Sequence, residues 1–334
     1  MRHIAVVGAG AWGTALANLA ARAGAEVTLW ARDADHVAEM AATGVNARRL
    51  PGVPLAPGIR PTAELADISK AAFVLLVVPT QALRGVARAL ADVIAPGVPV
   101  ILCAKGIERG TGAFPSDILT EVLPNNPPAV LSGPSFAADV ARGLPTAVTL
   151  AAADEARAAE LAQALAAPWF RLYHSSDMVG VEIGGAAKNV LAIASGITAG
   201  KRLGASAGAA LIARGFAELM RFGTAFGADP ATLTGLSGLG DLVLTCSSEQ
   251  SRNFSFGLAL GRGASVAAAS ADHKLVEGAH TCGILVELAR QKSVDMPIAA
   301  AVDAVLTEKL TIDAAIEALL NRPAKSERIS PAVR

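Results

Sequence analysis

Along the first half of the chain, short apolar runs alternate with alanine-rich stretches of helical character. The runs His3–Val7, Glu26–Trp30, Ile59–Thr62, Phe73–Val78, Val98–Cys103, Ala129–Ser132, Thr146–Leu150 and Phe170–His174 predict strands. Ala11–Ala23, Ala82–Ile94, Ser116–Val122 and Asp154–Leu165 predict helices in several of the gaps. Strand–helix alternation predicts an α/β fold with a parallel, doubly wound sheet. The longest strongly apolar run, Ala71–Val78, reads as a strand buried on both faces, as parallel sheets require. It is far shorter than the ~20 residues of a membrane helix, so no membrane span is expected. Leu50–Gly58, rich in proline and glycine, reads as a loop.

After about Asp177 the strand signals stop. Helices are predicted over Val179–Ala199, Ala205–Phe226, Phe254–Leu260, Gly283–Gln291, Ile298–Leu306 and Thr311–Leu320. The composition shift predicts a dinucleotide-type α/β domain over residues 1–180, an all-α substrate domain over 181–321, and a loose tail over 322–334.

A length of 334 residues suits two domains. Positive and negative residues balance, 29 against 29, and no basic segment carries interleaved aromatics, so no nucleic-acid partner is expected. The first residues enter a strand without an apolar leader, which predicts a cytoplasmic protein. Three cysteines, Cys103, Cys246 and Cys282, form no CxxC pair, so neither a disulfide framework nor a metal site is expected. The oligomeric state stays open, a homodimer included.

Gly8-Ala9-Gly10-Ala11-Trp12-Gly13 is a GxGxxG between a predicted strand and a predicted helix, the context that gives the motif meaning. Gly8 would allow the tight turn, Gly10 the approach of a pyrophosphate, and Gly13 close helix–strand packing. The second strand ends Trp30-Ala31-Arg32-Asp33, with arginine where an NAD site usually has an acid. Arg32 suits a 2′-phosphate, which predicts NADP(H) as the preferred cofactor; Asp33 keeps NAD(H) open.

Lys188 stands in the small and apolar stretch Val181–Ser195. A hydrated cation there is either a core lysine paired with a carboxylate, a surface lysine, or a functional amine. Gly184 and Gly185, one turn earlier, clear space beside it. Lys105 directly follows a predicted strand, and Gly133-Pro134-Ser135-Phe136-Ala137 links a strand to a short helix. Ser251-Arg252-Asn253 gathers hydroxyl, guanidinium and N–H donors at a helix start, a combination suited to phosphate.

Together with Gly238-Leu239-Gly240-Asp241-Leu242, these segments resemble, in order, the motifs of NAD(P)-dependent glycerol-3-phosphate dehydrogenases of bacterial type. The resemblance implies a Rossmann-like domain followed by a helical domain, with the site between them. It implies catalytic roles for Lys188, Lys105 and Asp241. It implies substrate contacts from Lys105, Gly133, Ser135, Lys188, Asn189, Asp241, Ser251, Arg252 and Asn253. Cofactor contacts would come from Gly8, Gly10, Ala11, Trp12, Gly13, Arg32, Lys105, Ala137, Arg252, Leu275 and Glu277. Position 11 is alanine where many relatives carry serine, so only a backbone contact is expected there. The implied reaction is reversible hydride transfer between NAD(P)H and C2 of dihydroxyacetone phosphate, giving sn-glycerol 3-phosphate, the backbone precursor of glycerophospholipids. The rivals are a hydroxy-acid or keto-acid dehydrogenase of the same architecture, a nucleotide-sensing regulator without turnover, and a thiol-dependent aldehyde dehydrogenase using Cys246.

Overall fold

The structure, a computed structural model, describes residues 2–272 and 276–323. Among these, eight strands form one sheet: β1 (His3–Val7), β2 (Glu26–Trp30), β3 (Ile59–Thr62), β4 (Phe73–Leu76), β5 (Val100–Leu102), β6 (Pro128–Ser132), β7 (Thr146–Ala152) and β8 (Phe170–Ser175). Their spatial order is β3-β2-β1-β4-β5-β6-β7-β8. Helices α1 (Ala11–Arg22), α2 (Ala34–Thr43), α3 (Thr80–Leu90), α4 (Pro115–Val122), α5 (Ala137–Ala141) and α6 (Glu155–Leu165) lie between strands. The chain order reverses direction beside β1, between β2 and β4, the kind of switch point at which an open α/β sheet binds its ligand. Every residue of β4 is buried, as the continuous apolar run requires.

Every pairing is parallel except β6–β7, so β7 and β8, parallel to each other, run against the other six strands and depart from the all-parallel expectation. The link between β6 and β7 holds only the five-residue α5. A parallel crossover must carry the chain back along the whole sheet, usually on a longer helix. Helix α2 was not predicted by periodicity, although its ends carry clear signals. Asp33 caps it by accepting from His36 N, and Gly44 ends it at φ +67°. The 50–58 loop is tied down by Asn18, whose amide donates to Pro54 O and accepts from Ala56 N.

The second half contains α7 (Met178–Gly200), α8 (Ala205–Ala225), α9 (Pro230–Thr234), a π-helical turn (Leu236–Gly240), α10 (Asp241–Cys246), α11 (Arg252–Gly261), α12 (Val266–Asp272), α13 (Glu277–Gln291), α14 (Pro297–Leu306) and α15 (Ile312–Leu320). Of the segment read as a tail, only Arg322 and Pro323 are described, and Arg322 pairs with Asp295 at 2.7 Å. By length and composition, helix α7 is long and apolar enough to cross a bilayer, with a mean hydropathy of 1.2. Its apolar character is that of a core helix, since 89% of that window is buried inside the protein. Helix α11 lies against it at backbone distance. A Cβ on Gly200 would sit 2.5 Å from Leu258 O, one on Gly261 would sit 2.5 Å from Ile197 O, and Gly196 and Gly257 would collide with Phe254 O and Ile193 O. Small residues on both faces thus bring the start of α11 next to the middle of α7.

Candidate active site

The dinucleotide loop has the geometry its glycines predict. Gly8 takes φ +118°, and a Cβ there would lie 2.5 Å from Val77 O. A Cβ on Gly13 would collide with Gly8 O, whereas one on Gly10 would meet nothing within 4 Å. Gly10 therefore marks open space above the loop. Helix α1 begins there without a side-chain cap and without an acid in its first turn. Its free N–H groups and positive dipole end face that space, an arrangement that fits a pyrophosphate. Trp12 and Ala137 are half-buried against the same core, because α5 packs on α1. At the end of β2, Arg32 is exposed and has no hydrogen-bond or ion-pair partner among the described residues. Asp33 is engaged twice, as the α2 cap and as a partner of Arg48 at 3.2 Å.

At the carboxyl ends of β5 and β6 the structure joins Lys105, Lys188 and Asp241. Asp241 opens α10 and is only 1% exposed. One carboxylate oxygen accepts from Lys188 Nζ at 2.5 Å and the other from Lys105 Nζ at 2.8 Å. Lys188 Nζ also donates to Thr245 Oγ1 at 2.8 Å, and Lys105 Nζ to Gly133 O at 3.0 Å. Two ammonium groups thus share one buried carboxylate. Burial pulls the Lys188 pKa down to about 8; Lys105 pushes in the same direction and Asp241 opposes it.

The upstream glycines serve a different purpose from the clearance expected of them. A Cβ on Gly184 would lie 2.5 Å from Ser237 O, and one on Gly185 would lie 2.9 Å from Ser132 Oγ and 3.2 Å from Lys105 Cγ. They admit the π-helical turn and the second lysine, not open space for a ligand.

Ser251 caps α11, with Oγ accepting from Phe254 N at 3.2 Å. Asn253 is largely committed within the protein. Its Nδ2 donates to Asn189 Oδ1 at 2.9 Å, and its Oδ1 accepts from Gly278 N at 2.9 Å. Asn189 in turn donates to Lys105 O at 2.9 Å. This chain ties α11 and α13 to the Lys105 segment, and the Ser251 cap takes the Phe254 N–H, so that Arg252 N and Asn253 N are the first-turn N–H groups ahead of the capped one. Arg252 projects from that turn with no hydrogen-bond partner among the described residues; crowding lowers its pKa, Glu277 counteracts this and Arg49 adds to it. Ser135 Oγ donates to Gly133 O at 3.0 Å. Burial raises the pKa of Glu277, against Arg252 and the Thr80 backbone N–H, and its Oε2 is buried without a partner. Leu275 lies outside the described residues. Thr245 was missed by sequence reasoning; its signal was its place one turn after Asp241 on the same helix face. Cys246 beside it is buried, with its thiol pushed up to about 11, so it does not ionise near neutral pH.

A dinucleotide-type sheet whose open end brings Lys105 to a buried lysine and aspartate of the helical second half has the architecture of a two-domain, Rossmann-type dehydrogenase. Models of the N-terminus and the C-terminus of NAD-dependent glycerol-3-phosphate dehydrogenase match residues 3–158 and 177–317. The chain belongs to that family. It is 67% identical to the glycerol-3-phosphate dehydrogenase [NAD(P)+] of Beijerinckia indica, over 98% of both chains. It is 63% identical to the protein of the same name from Azorhizobium caulinodans, over 97% of this chain and 98% of that one. Its structure superposes on the glycerol-3-phosphate dehydrogenase of Coxiella burnetii with a TM-score of 0.91 at 41% identity, covering 96% of this chain and 99% of the other.

Proposed function

We propose that this chain interconverts dihydroxyacetone phosphate and sn-glycerol 3-phosphate with NADP(H), and less readily with NAD(H). The observation that carries this reading is the Lys188–Asp241–Lys105 cluster, set at the strand ends beside an anion-binding glycine loop. A bound nicotinamide would supply or take up the hydride at C2. Lys188 donates a proton to the C2 oxygen in the reductive direction and, when neutral, accepts it in the oxidative one. Lys105 is the second cation at that oxygen, where negative charge develops in a site dry enough to strengthen the attraction. Asp241 fixes both ammonium groups, and Thr245 fixes the direction of the Lys188 Nζ bond.

Arg252 and the first-turn N–H groups of α11 hold the substrate phosphate, with Ser251 and Asn253 shaping that turn and Ser135 and Gly133 lining the opposite side. Arg32 takes the 2′-phosphate of the cofactor; Asp33, being a cap and already paired, is not positioned as a free ribose acceptor. Residues 1–180 hold the cofactor and 181–321 complete the substrate site. A cytoplasmic location is supported by three free, buried thiols.

The test is loss of NADPH absorbance with dihydroxyacetone phosphate, dihydroxyacetone and a panel of keto acids. Turnover with the phosphorylated ketone at least a hundredfold above the others is expected. Comparable turnover of a keto acid would point to the related hydroxy-acid dehydrogenases instead.

A further inference from the structure

We infer that Asn46 is a positioning residue that aims the phosphate-binding N–H groups of the glycine loop. The inference rests on the reading of Gly8–Gly13 as a dinucleotide site. Asn46 is fully buried, in a stretch that periodicity reads as neither strand nor helix. Its Nδ2 donates to Ala9 O at 3.0 Å and to Thr14 Oγ1 at 2.7 Å. Thr14 Oγ1 passes its own proton to Gly10 O at 2.9 Å. One side chain thereby holds two consecutive loop carbonyls, Ala9 directly and Gly10 through a hydroxyl.

The consequence follows from peptide planarity. The Ala9 carbonyl and the Gly10 N–H lie in one plane and point opposite ways, as do the Gly10 carbonyl and the Ala11 N–H. Drawing both carbonyls inward turns both N–H groups outward, into the space that a Cβ on Gly10 would find empty. Without Asn46 the Ala9 carbonyl would lose its buried donor and the Thr14 hydroxyl the partner that orients it, while Gly10 O would keep Thr14 N at 2.9 Å. The Ala9–Gly10 peptide would then have to be set by the ligand itself. Preorganised donors bind more tightly because that ordering precedes binding.

The amide orientation is fixed by chemistry. A carbonyl only accepts, so the atom facing Ala9 O is the nitrogen, and Asn46 Oδ1 faces His36 Nε2 at 2.8 Å. His36 must then carry its proton on Nε2. His36 N donates to Asp33 Oδ1 at 3.1 Å, which extends the chain of bonds from the glycine loop to the segment bearing Arg32. The Asn46 carbonyl accepts from Leu50 N at 2.8 Å, so the backbone that presents its amide is itself held.

The test is cofactor affinity, read by NADPH and NADH fluorescence titration of the full chain, alongside steady-state rates at saturating cofactor. Asn46→Ala is expected to raise the Kd of NADPH and NADH by the same factor, roughly ten- to a hundredfold for the loss of buried hydrogen bonds. It should leave kcat and the KM for dihydroxyacetone phosphate within about twofold of wild type. Thr14→Val removes only the hydroxyl relay and should weaken both cofactors about fivefold, with Thr14→Ser restoring wild-type affinity. This pair keeps the question open to measurement if Asn46→Ala fails to fold. Wild-type affinity in Asn46→Ala or Thr14→Val would overturn the inference, as would a fall in kcat with Kd unchanged. Failure of the wild-type chain to bind either nucleotide would instead remove the functional reading beneath it.

Discussion

Lys188 draws its chemistry from a conflict between burial, which disfavours its charge, and Asp241, which favours it. The balance leaves a group that titrates at about 8, close enough to neutrality to give and take a proton in both directions. With the pKa lowered to about 8, dihydroxyacetone phosphate reduction should hold below that pH and fall as Lys188 loses its proton above it. Glycerol 3-phosphate oxidation should rise through the same region. Log kcat against pH in the two directions checks this, and parallel slopes would sink it. Asp241→Asn leaves two adjacent buried ammonium groups without a counter-charge. It should lower turnover at least a hundredfold and move the Lys188 transition to lower pH. At this scale the sequence was most legible where chemistry conflicts with surroundings: a lysine among alanines, glycines after a strand. It was least legible where a polar side chain serves another residue. Asn253 resembles a ligand group in the sequence but spends its amide on Asn189 and Gly278, and Thr245 is marked only by its place one turn after Asp241.

Elements here are placed by what their glycines let through. The pairing of Gly196 and Gly200 with Gly257 and Gly261 sets α11 against α7, and through it the distance from the first turn of α11, bearing Arg252, to Lys188. A methyl group on Gly257 has only the Ile193 carbonyl to move into, so Gly257→Ala should lower the Tm by several degrees. It should also raise the KM for dihydroxyacetone phosphate more than that for NADPH; an unchanged KM ratio would detach the helix contact from the site. A second element contact is pH-sensitive. Glu182 of α7 accepts from Ser116 N at 2.8 Å and Ser116 Oγ at 2.6 Å at the start of α4, and burial raises its pKa to about 7. A carboxyl raised in the folded state from its ordinary value of 4.5 contributes stability that is complete at acid pH. That contribution is lost as pH climbs from about 4.5 to about 7. Glu182→Gln should flatten the fall in Tm across that window, and an unaltered slope would exclude the group. Periodicity captured the long helices and central strands, because burial on a face leaves a pattern. It missed α2, whose evidence is in its caps, and it read Gly184 and Gly185 as open space beside Lys188 because a sequence does not say what fills a gap.

In the whole molecule, the open end of the sheet and the α7–α11 pair meet so that neither half holds a complete site. The first half brings the glycine loop, Arg32 and Lys105; the second brings Lys188, Asp241 and Arg252. The end of the strands was legible in the loss of strand signal near Asp177, since only helices follow β8 among the described residues, whereas the reversal of β7 and β8 was not, because strand direction depends on a connection's reach rather than on its residues. On the proposed reading, cofactor choice belongs to the first half. Arg32→Ala should lower the NADPH to NADH preference about tenfold while leaving NADH kinetics unchanged, since an arginine–phosphate contact exists with only one of the two. Parallel losses with both would assign Arg32 a structural role. The central claim is that Lys188 moves the proton at C2. The most direct measurement is NADPH-dependent reduction of dihydroxyacetone phosphate by Lys188→Ala, with NADPH affinity titrated on the same preparation. A loss of kcat of at least about a thousandfold is expected with nucleotide Kd unchanged, and a kcat within tenfold of wild type would contradict it.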